Sequence, residues 1–260
     1  MLYNLMEPNQ MQNYFTGTSG LLLPVPNKTF YPKEFQEKSR LNYYSSLVNS
    51  IEINSSFYKI PRNITVEKWT REVPRHFAFS YKLFKGVTHA RDLNYNTQDL
   101  HEFIQQIDSV KEHRACLLVQ FPPSIRITHF RQIDHLISEI KSLDASGKWK
   151  IAIEFRHESL YIPEVYELLE SHQVALVLHD KTSSISPFIE SDTNFKYLRF
   201  HGPNGNYRGS YDEGFLSEYA TYISEWLSEG KRVYSYFNNT MGNAFQNLAY
   251  LRQSIVDKLK

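Results

Sequence analysis

A single cysteine, Cys116, stands in a chain of 260 residues. One thiol cannot close an internal disulfide, and it excludes a zinc site of the repeated Cys-x-x-Cys kind. It lies inside the apolar run Ala115-Cys-Leu-Leu-Val119, which predicts an inert core thiol rather than a nucleophile. An excess of charge is also missing: 29 basic residues face 28 acidic ones, a net +1. A protein that holds nucleic acid mainly by neutralising phosphates is usually far more basic, so that role is disfavoured, while a local basic site stays compatible. No apolar run approaches the roughly 20 residues of a spanning helix. The first ten residues have neither a basic start nor an apolar run of signal length. The expectation is therefore a soluble, cytoplasmic protein with no membrane partner. The phosphate-binding Gly-x-x-x-x-Gly-Lys-Ser/Thr loop and the Gly-x-Ser-x-Gly elbow are both absent, which disfavours a nucleotide-dependent kinase and a serine hydrolase. Low-complexity tracts and Pro/Gly/Ser linkers are lacking too, so residues 1–260 read as one domain, with 1–13 as a peripheral extension.

What recurs is an alternation. Eight short runs rich in β-branched and aromatic residues read as strands: Asn13–Thr18, Ser50–Asn54, Phe77–Lys82, Ala115–Phe121, Lys150–Arg156, Ala175–Asp180, Phe195–His201 and Arg232–Asn238. Segments of helical spacing follow most of them. Thr128–Leu143, for example, sets Phe130, Ile133, Ile137 and Ile140 on one face, with Thr128 as the expected N-cap. Only Lys181–Asn194 lacks a helical pattern. Eight strands alternating with helices predict a single eight-stranded β/α barrel of the TIM type. A doubly wound open sheet is the competitor, but Gly17-Thr-Ser-Gly20 after the first strand has the wrong spacing for a dinucleotide fingerprint.

Side chains alternate faces along a strand. In Ile151-Ala-Ile-Glu-Phe-Arg156 the bulky apolar residues take one face, so Ala152, Glu154 and Arg156 point into the barrel. The same rule turns inward Glu52 and Asn54, then Ser80 and Lys82, then Gln120, then Tyr197, Arg199 and His201, then Tyr234, Tyr236 and Asn238. Asp180 ends the sixth strand and His157 follows Arg156. Polar groups thus collect at the C-terminal mouth, where barrel enzymes keep their sites.

Eleven ordered motifs carry a resemblance. They include Gly17-Thr-Ser-Gly20, Phe30-Tyr-Pro32, Ser50-Ile-Glu-Ile-Asn54, Phe57-Tyr58, Trp69, Phe79-Ser80 with Lys82, Thr88-His89 and Gln120-Phe-Pro-Pro123. Ala152-Ile-Glu-Phe-Arg-His157, Tyr197-Leu-Arg-Phe-His-Gly202 and Tyr236-Phe-Asn-Asn239 continue the series. From about Phe15 to Leu251 the chain resembles domain-of-unknown-function family 72, the YecE-like family. The resemblance implies a TIM-barrel-like fold and an activity that is not established. The family usually carries an aromatic directly after the Gly-Thr-Ser-Gly motif; Leu21-Leu-Leu-Pro24 stands here instead. If that aromatic lines the pocket in relatives, substrate packing differs here.

Three chemistries compete for the mouth. In the first, a hydrolase or isomerase acts on a small anionic or sugar-like substrate. Glu52 and Glu154 serve as acid and base, since two carboxylates in one low-dielectric site push one pKa up. His157, Asp180 and His201 join the proton transfer. Lys82, Arg156 and Arg199 clamp a phosphate or carboxylate, and Tyr207, Tyr211 and Tyr236 stack on a sugar or base. Asn54, His89, Gln120 and Asn238 complete the wall. In the second, Glu52, Glu154, His157, Asp180 and His201 hold a divalent metal, although the arginines would repel it and no cofactor motif is present. The third is not an enzyme: a sensor binds a nucleotide, sugar phosphate or RNA end through the loop Asn204-Gly-Asn-Tyr-Arg-Gly-Ser-Tyr211. A plain alternative to all three is a salt-bridge plug of Glu52, Glu154 and Asp180 against Lys82, Arg156 and Arg199.

Overall fold

The computed structural model describes residues 8–144, 147–189 and 191–260. In chain order the elements are β1 (Tyr14–Thr18), α1 (Arg40–Leu47), β2 (Ser50–Ile53), α2 (Asn63–Arg71), β3 (Ala78–Lys82), α3 (Lys85–Thr88), α4 (Thr97–Ile107), β4 (Arg114–Gln120) and α5 (Phe130–Leu143). They continue as β5 (Lys150–Glu154), α6 (Pro163–Ser171), β6 (Ala175–His179), β7 (Phe195–Phe200), β8 (Arg208–Gly209), α7 (Glu213–Ser228), β9 (Arg232–Phe237), β10 (Met241–Gly242) and α8 (Ala244–Leu259). Eight parallel strands pair in the order β1-β9-β7-β6-β5-β4-β3-β2. The ring closes between β1 and β2, where Ser19 bridges Glu52 and the Gly20 N–H donates to the Glu52 carbonyl at 2.8 Å. This is the expected TIM-like β/α barrel.

Gly17 allows that closure. A β-carbon there would lie 2.0 Å from the Ser50 carbonyl oxygen and 2.7 Å from the Tyr44 hydroxyl. No side chain fits, so β1 can approach β2 only with hydrogen at this position.

Two apolar layers follow from the alternation. Outward strand residues such as Leu117, Val119, Ile151 and Ile153 pack against the helices, where α5 buries Ile133, Leu136, Ile137 and Ile140. Each such side chain, fully buried, contributes roughly 1.5–3 kcal/mol. The barrel lumen is filled by Ala78, Cys116, Leu118, Ala152, Val177, Tyr197, Tyr234 and Tyr236. Cys116 is fully buried there, and burial pushes its thiol pKa up, away from reactivity.

Several boundaries move. β5, β6, β7 and β9 end one or two residues earlier than the alternation predicts, so Arg156, Asp180, His201 and Asn238 lie just past the paired strands. Thr128 does not cap α5: a 3-10 turn over Ile127–His129 intervenes, and His129 Nδ1 accepts from the Arg126 N–H at 3.2 Å. Among the described residues between β6 and β7 there is no helix, as expected. Of the predicted extension 1–13, residues 1–7 lie outside the described residues, and Asn9–Asn13 form a 3-10 turn that buries Met11.

Candidate functional site

The centre of the barrel is a guanidinium. Arg199, the last inward residue of β7, has a side chain only 1% exposed. Its Nε and Nη2 donate to the two oxygens of Glu52 at 3.0 and 2.7 Å, a bidentate pair. Its Nη1 donates to Glu154 Oε2 at 2.8 Å. Glu52 also accepts from the Tyr197 hydroxyl at 2.6 Å and from Ser19. The remaining oxygen of Glu154 meets Arg156 in an ion pair. One arginine therefore spans the space between the two carboxylates that a substrate was expected to occupy.

This corrects the acid–base assignment. Burial alone would raise both carboxyls, but Arg199, with Ser19 and Tyr197, holds Glu52 below the ordinary range. Burial likewise opposes ionisation of Glu154, and Arg199 and Arg156 outweigh it, holding the group well below that range. Both are carboxylates at neutral pH, so the expected divergence of their pKa values does not arise.

His201 is likewise committed. Its Nε2 faces Nη1 of Arg199 at 3.2 Å and Nη2 of Arg156 at 3.1 Å. Guanidinium nitrogens only donate, so Nε2 accepts and the proton resides on Nδ1, toward Asp180 Oδ1 at 3.2 Å. Burial, then the neighbouring Arg199, pushes its pKa down against the pull of Asp180, so the ring stays neutral and orients Arg156. Asp180 also accepts from the His201 backbone N–H at 2.7 Å and from the Tyr211 hydroxyl.

Three further side chains take other roles. Tyr211 holds Asp180, accepts from the Gly202 N–H, and lays its ring on Phe215 at 4.9 Å, so it offers no stacking face to a ligand. Tyr236 is fully buried in the lumen, its hydroxyl between Ser50 Oγ at 2.6 Å and Ser80 Oγ at 2.8 Å. His157 uses Nδ1 to accept from the Ser159 N–H at 3.1 Å, capping the turn Glu158–Leu160, and takes no part in the Arg199 network.

The remaining candidates sit around the mouth. Lys82, 8% exposed, ends β3 with its Nζ 4.0 Å from the centre of the Phe57 ring. Among the described residues no carboxylate pairs with it. Burial first, then Arg199, lowers its pKa to about 8, with Glu154 and Glu52 opposing. His89 lies on the rim with its ring against Phe57 at 4.9 Å and Nδ1 against the Thr88 hydroxyl at 2.9 Å. Arg156 has a side chain 9% exposed, and its Nη1 is buried without a hydrogen-bond partner. Asn54 Oδ1 is another buried atom without one. Gln120 donates to the Phe121 carbonyl at 2.8 Å, and Asn238 is buried just past β9. Tyr207, half-buried, faces His201 at 5.7 Å with Lys181 over its ring.

The metal set does not assemble. Among the described residues no three His, Cys, Asp or Glu side chains converge as ligands. The oxygens of Glu52 and Glu154 face guanidinium groups, and His157 is a cap. Leu21, at the position of the family's usual aromatic, lines a cavity of about 250 Å³ with Leu41, Ile53, Asn54 and Trp69.

Local pattern left several residues without a role. Ser19 and Tyr197 both bond Glu52, and alternation already turned Tyr197 inward. His179 is the inward residue at the end of β6, where Ala175 and Val177 set the phase, and it lies directly before Asp180. Its Nδ1 accepts from the Lys181 N–H at 3.2 Å, and Nε2 donates to the Phe155 carbonyl at 3.1 Å. Asn239 ties the β8–β10 ribbon to α8 through the Gly209 carbonyl at 3.1 Å and Asn247 at 3.0 Å.

The family described as protein of unknown function DUF72 matches residues 15–259. UPF0759 protein YunF of Bacillus subtilis (strain 168) is 25% identical over 254 residues, covering 82% of this chain and 85% of that protein. A DUF72 family protein of Enterococcus faecalis V583 superimposes with a TM-score of 0.73 at 19% identity, over 93% of this chain and 95% of its own. Another from Thermotoga maritima MSB8 gives 0.68 at 24% identity, over 92% and 98%. These two solved structures share the fold. Among the described residues no helix is long and apolar enough to cross a membrane.

Proposed function

The chain belongs to the family described as protein of unknown function DUF72, and on that premise we propose that it is an enzyme acting on a small anionic, sugar-like substrate at the C-terminal mouth of its barrel. The observation that carries this reading is two buried cations with donors to spare: Arg156, whose Nη2 already pairs with Glu154, and Lys82. Arg199 engages both glutamates, yet Arg156 keeps a buried Nη1 without an acceptor and Lys82 has no carboxylate partner among the described residues. Buried donors are normally satisfied, and a phosphate or carboxylate entering the mouth supplies the missing acceptor. Gln120, Asn238 and Tyr207 can then bond hydroxyl groups.

Proton transfer falls to Lys82 rather than to the glutamates. With a pKa lowered to about 8, its amine is partly neutral at physiological pH, which suits a general base. A non-catalytic sensor would use the same anion site without turnover. Calorimetric titration with inorganic phosphate tests the site. The expected result is saturable binding that weakens about 10- to 100-fold in Arg156→Gln, the range for a charge-assisted hydrogen bond of roughly 1.5–3 kcal/mol. Absence of saturable binding, or equal affinity in the variant, refutes the anion site. Turnover of a phosphorylated or carboxylated sugar, lost in Lys82→Met, separates the enzyme from the sensor.

A further inference from the structure

We propose that Lys82 is a covalent catalyst whose amine condenses with an aldehyde or ketone, so that the substrate is a small carbonyl compound bearing a phosphate or carboxylate. The inference rests on the anion site proposed above and adds a bond to it. Several other lysines are surface groups with acidic partners: Lys68 with Glu72, Lys231 with Glu229 and Lys260 with Asp257. Lys181 is held by the Gly205 carbonyl and Lys196 by Ser191. Lys82 differs in placement as well as in partners. It is the last residue of β3, in phase with the inward-facing Ala78 and Ser80, and it is 8% exposed.

A lysine that only clamps an anion gains from being charged. The surroundings of Lys82 work toward the neutral amine instead. Burial removes water from the ammonium, and Arg199 and Arg156 add like charge nearby. Desolvation together with neighbouring cations is the general way to make a lysine nucleophilic near neutral pH. Phe57, against which Nζ rests, covers the amine with an apolar face and also favours the cation that condensation restores.

The step balances without a further reagent. The amine lone pair forms a nitrogen–carbon bond to the carbonyl carbon, and the carbonyl π pair moves to oxygen. Proton transfer from nitrogen gives the carbinolamine. A second proton carries the hydroxyl away as water, leaving a protonated imine. Starting from the ammonium form, one water is released and the positive charge stays on nitrogen. That cation then accepts the electron pair of an adjacent C–H or C–C bond. Arg156 holds the anionic end of the same molecule, and His89, whose ring meets Phe57 edge-on at 4.9 Å and whose pKa burial pushes down to about 4, supplies a neutral base nearby.

Trapping with sodium cyanoborohydride and glyoxylate, which carries both an aldehyde and a carboxylate, tests the bond. Peptide mass mapping is expected to place carboxymethyl on Lys82 about tenfold or more faster than on exposed lysines at pH 7.5. The rate should rise with a midpoint near pH 8 and fall when inorganic phosphate is added. Lys82→Arg should lose the label at this position while labelling of the exposed lysines continues. If glyoxylate binds by calorimetry yet Lys82 labels no faster than surface lysines, the covalent step is refuted and the anion site stands. If neither glyoxylate nor phosphate binds but acetaldehyde still labels Lys82 selectively, the anion site is refuted and the nucleophile stands. If none of the three probes engages Lys82, both are refuted.

Discussion

Replacing Arg199 with methionine keeps most of the side-chain volume and removes the charge between two buried carboxylates. Glu52 retains Ser19 and Tyr197, and Glu154 retains Arg156, but neither keeps its central partner. Breaking a buried ion pair from one side costs about 3–5 kcal/mol, because the remaining charge stays desolvated. With a urea dependence near 3 kcal/mol per molar, the midpoint should drop by roughly 1–2 M. The pH dependence gives the sharper test. In the native protein both glutamates ionise below their ordinary range. Their contribution is therefore fully present above the unfolded pKa and is lost only as pH falls through the lowered folded values. In Arg199→Met the burial of Glu52 is no longer outweighed, so its pKa rises above the unfolded value. The folded state then binds more protons than the unfolded one, and stability increases as pH falls from 7 toward 5. Urea unfolding at pH 7 and pH 5, at fixed ionic strength, should show the gap between the two proteins narrowing on acidification. Adding Glu52→Gln to the variant should recover part of the loss at pH 7. A loss below about 1 kcal/mol, or a gap of constant size at the two pH values, would refute the view that Arg199 holds a charged floor.

Lys82→Met should stabilise the fold at pH 7 by up to roughly 3 kcal/mol, since the native ammonium lacks a carboxylate partner and its pKa is lowered. Between pH 8 and about 10.5 the unfolded chain holds more protons than the native one, so wild-type stability rises and the advantage of the variant disappears. A less stable variant in thermal melts at pH 7 contradicts this. Gly17→Ala should lower the melting temperature by an amount equivalent to about 1–3 kcal/mol, because its β-carbon collides with the Ser50 carbonyl and not with a movable side chain. An unchanged melt would show that the β1–β2 seam can widen. Tyr211→Phe strips the Gly202 N–H of its acceptor and Asp180 of a donor, at about 1–3 kcal/mol for each group left buried and unpaired. Amide exchange at Gly202 should accelerate; native protection there would refute the role.

The salt-bridge plug and the proposed site share residues rather than exclude one another. Glu52, Arg199, Glu154 and Arg156 form a continuous charged chain, with His201 and Asp180 orienting its outer end. Replacing such a chain with packed apolar residues is often neutral or stabilising, so stability alone gives it little reason to persist. Holding Arg156 in a fixed orientation at the mouth is a use for it, and Lys82 stands outside the chain altogether.

Periodicity is a local property, and what it governs was readable without a structure. Eight β-rich runs between helical segments carried the barrel, and the phase within each run carried the inward set, including Glu52, Lys82, Glu154 and Arg199. The departures have a common cause. Strand ends came out long by a residue or two because a polar tail such as Glu154-Phe-Arg156 keeps its alternation after backbone pairing stops. Tyr211 and Tyr236 read as ligand-facing aromatics, yet Tyr211, in the loop before α7, props Asp180, and Tyr236 fills the lumen, since neither a loop's path nor depth along a tilted strand is written in the local residues. The charge states were least accessible of all. Two inward glutamates on opposite strands predict competing carboxylates. Whether an arginine from a third strand reaches both depends on strand stagger, tilt and barrel width, which arise only when the sheet closes. That closure, permitted by the bare α-carbon of Gly17, turned an expected acid–base pair into a fixed ionic floor that includes Arg156 and leaves Lys82 outside it.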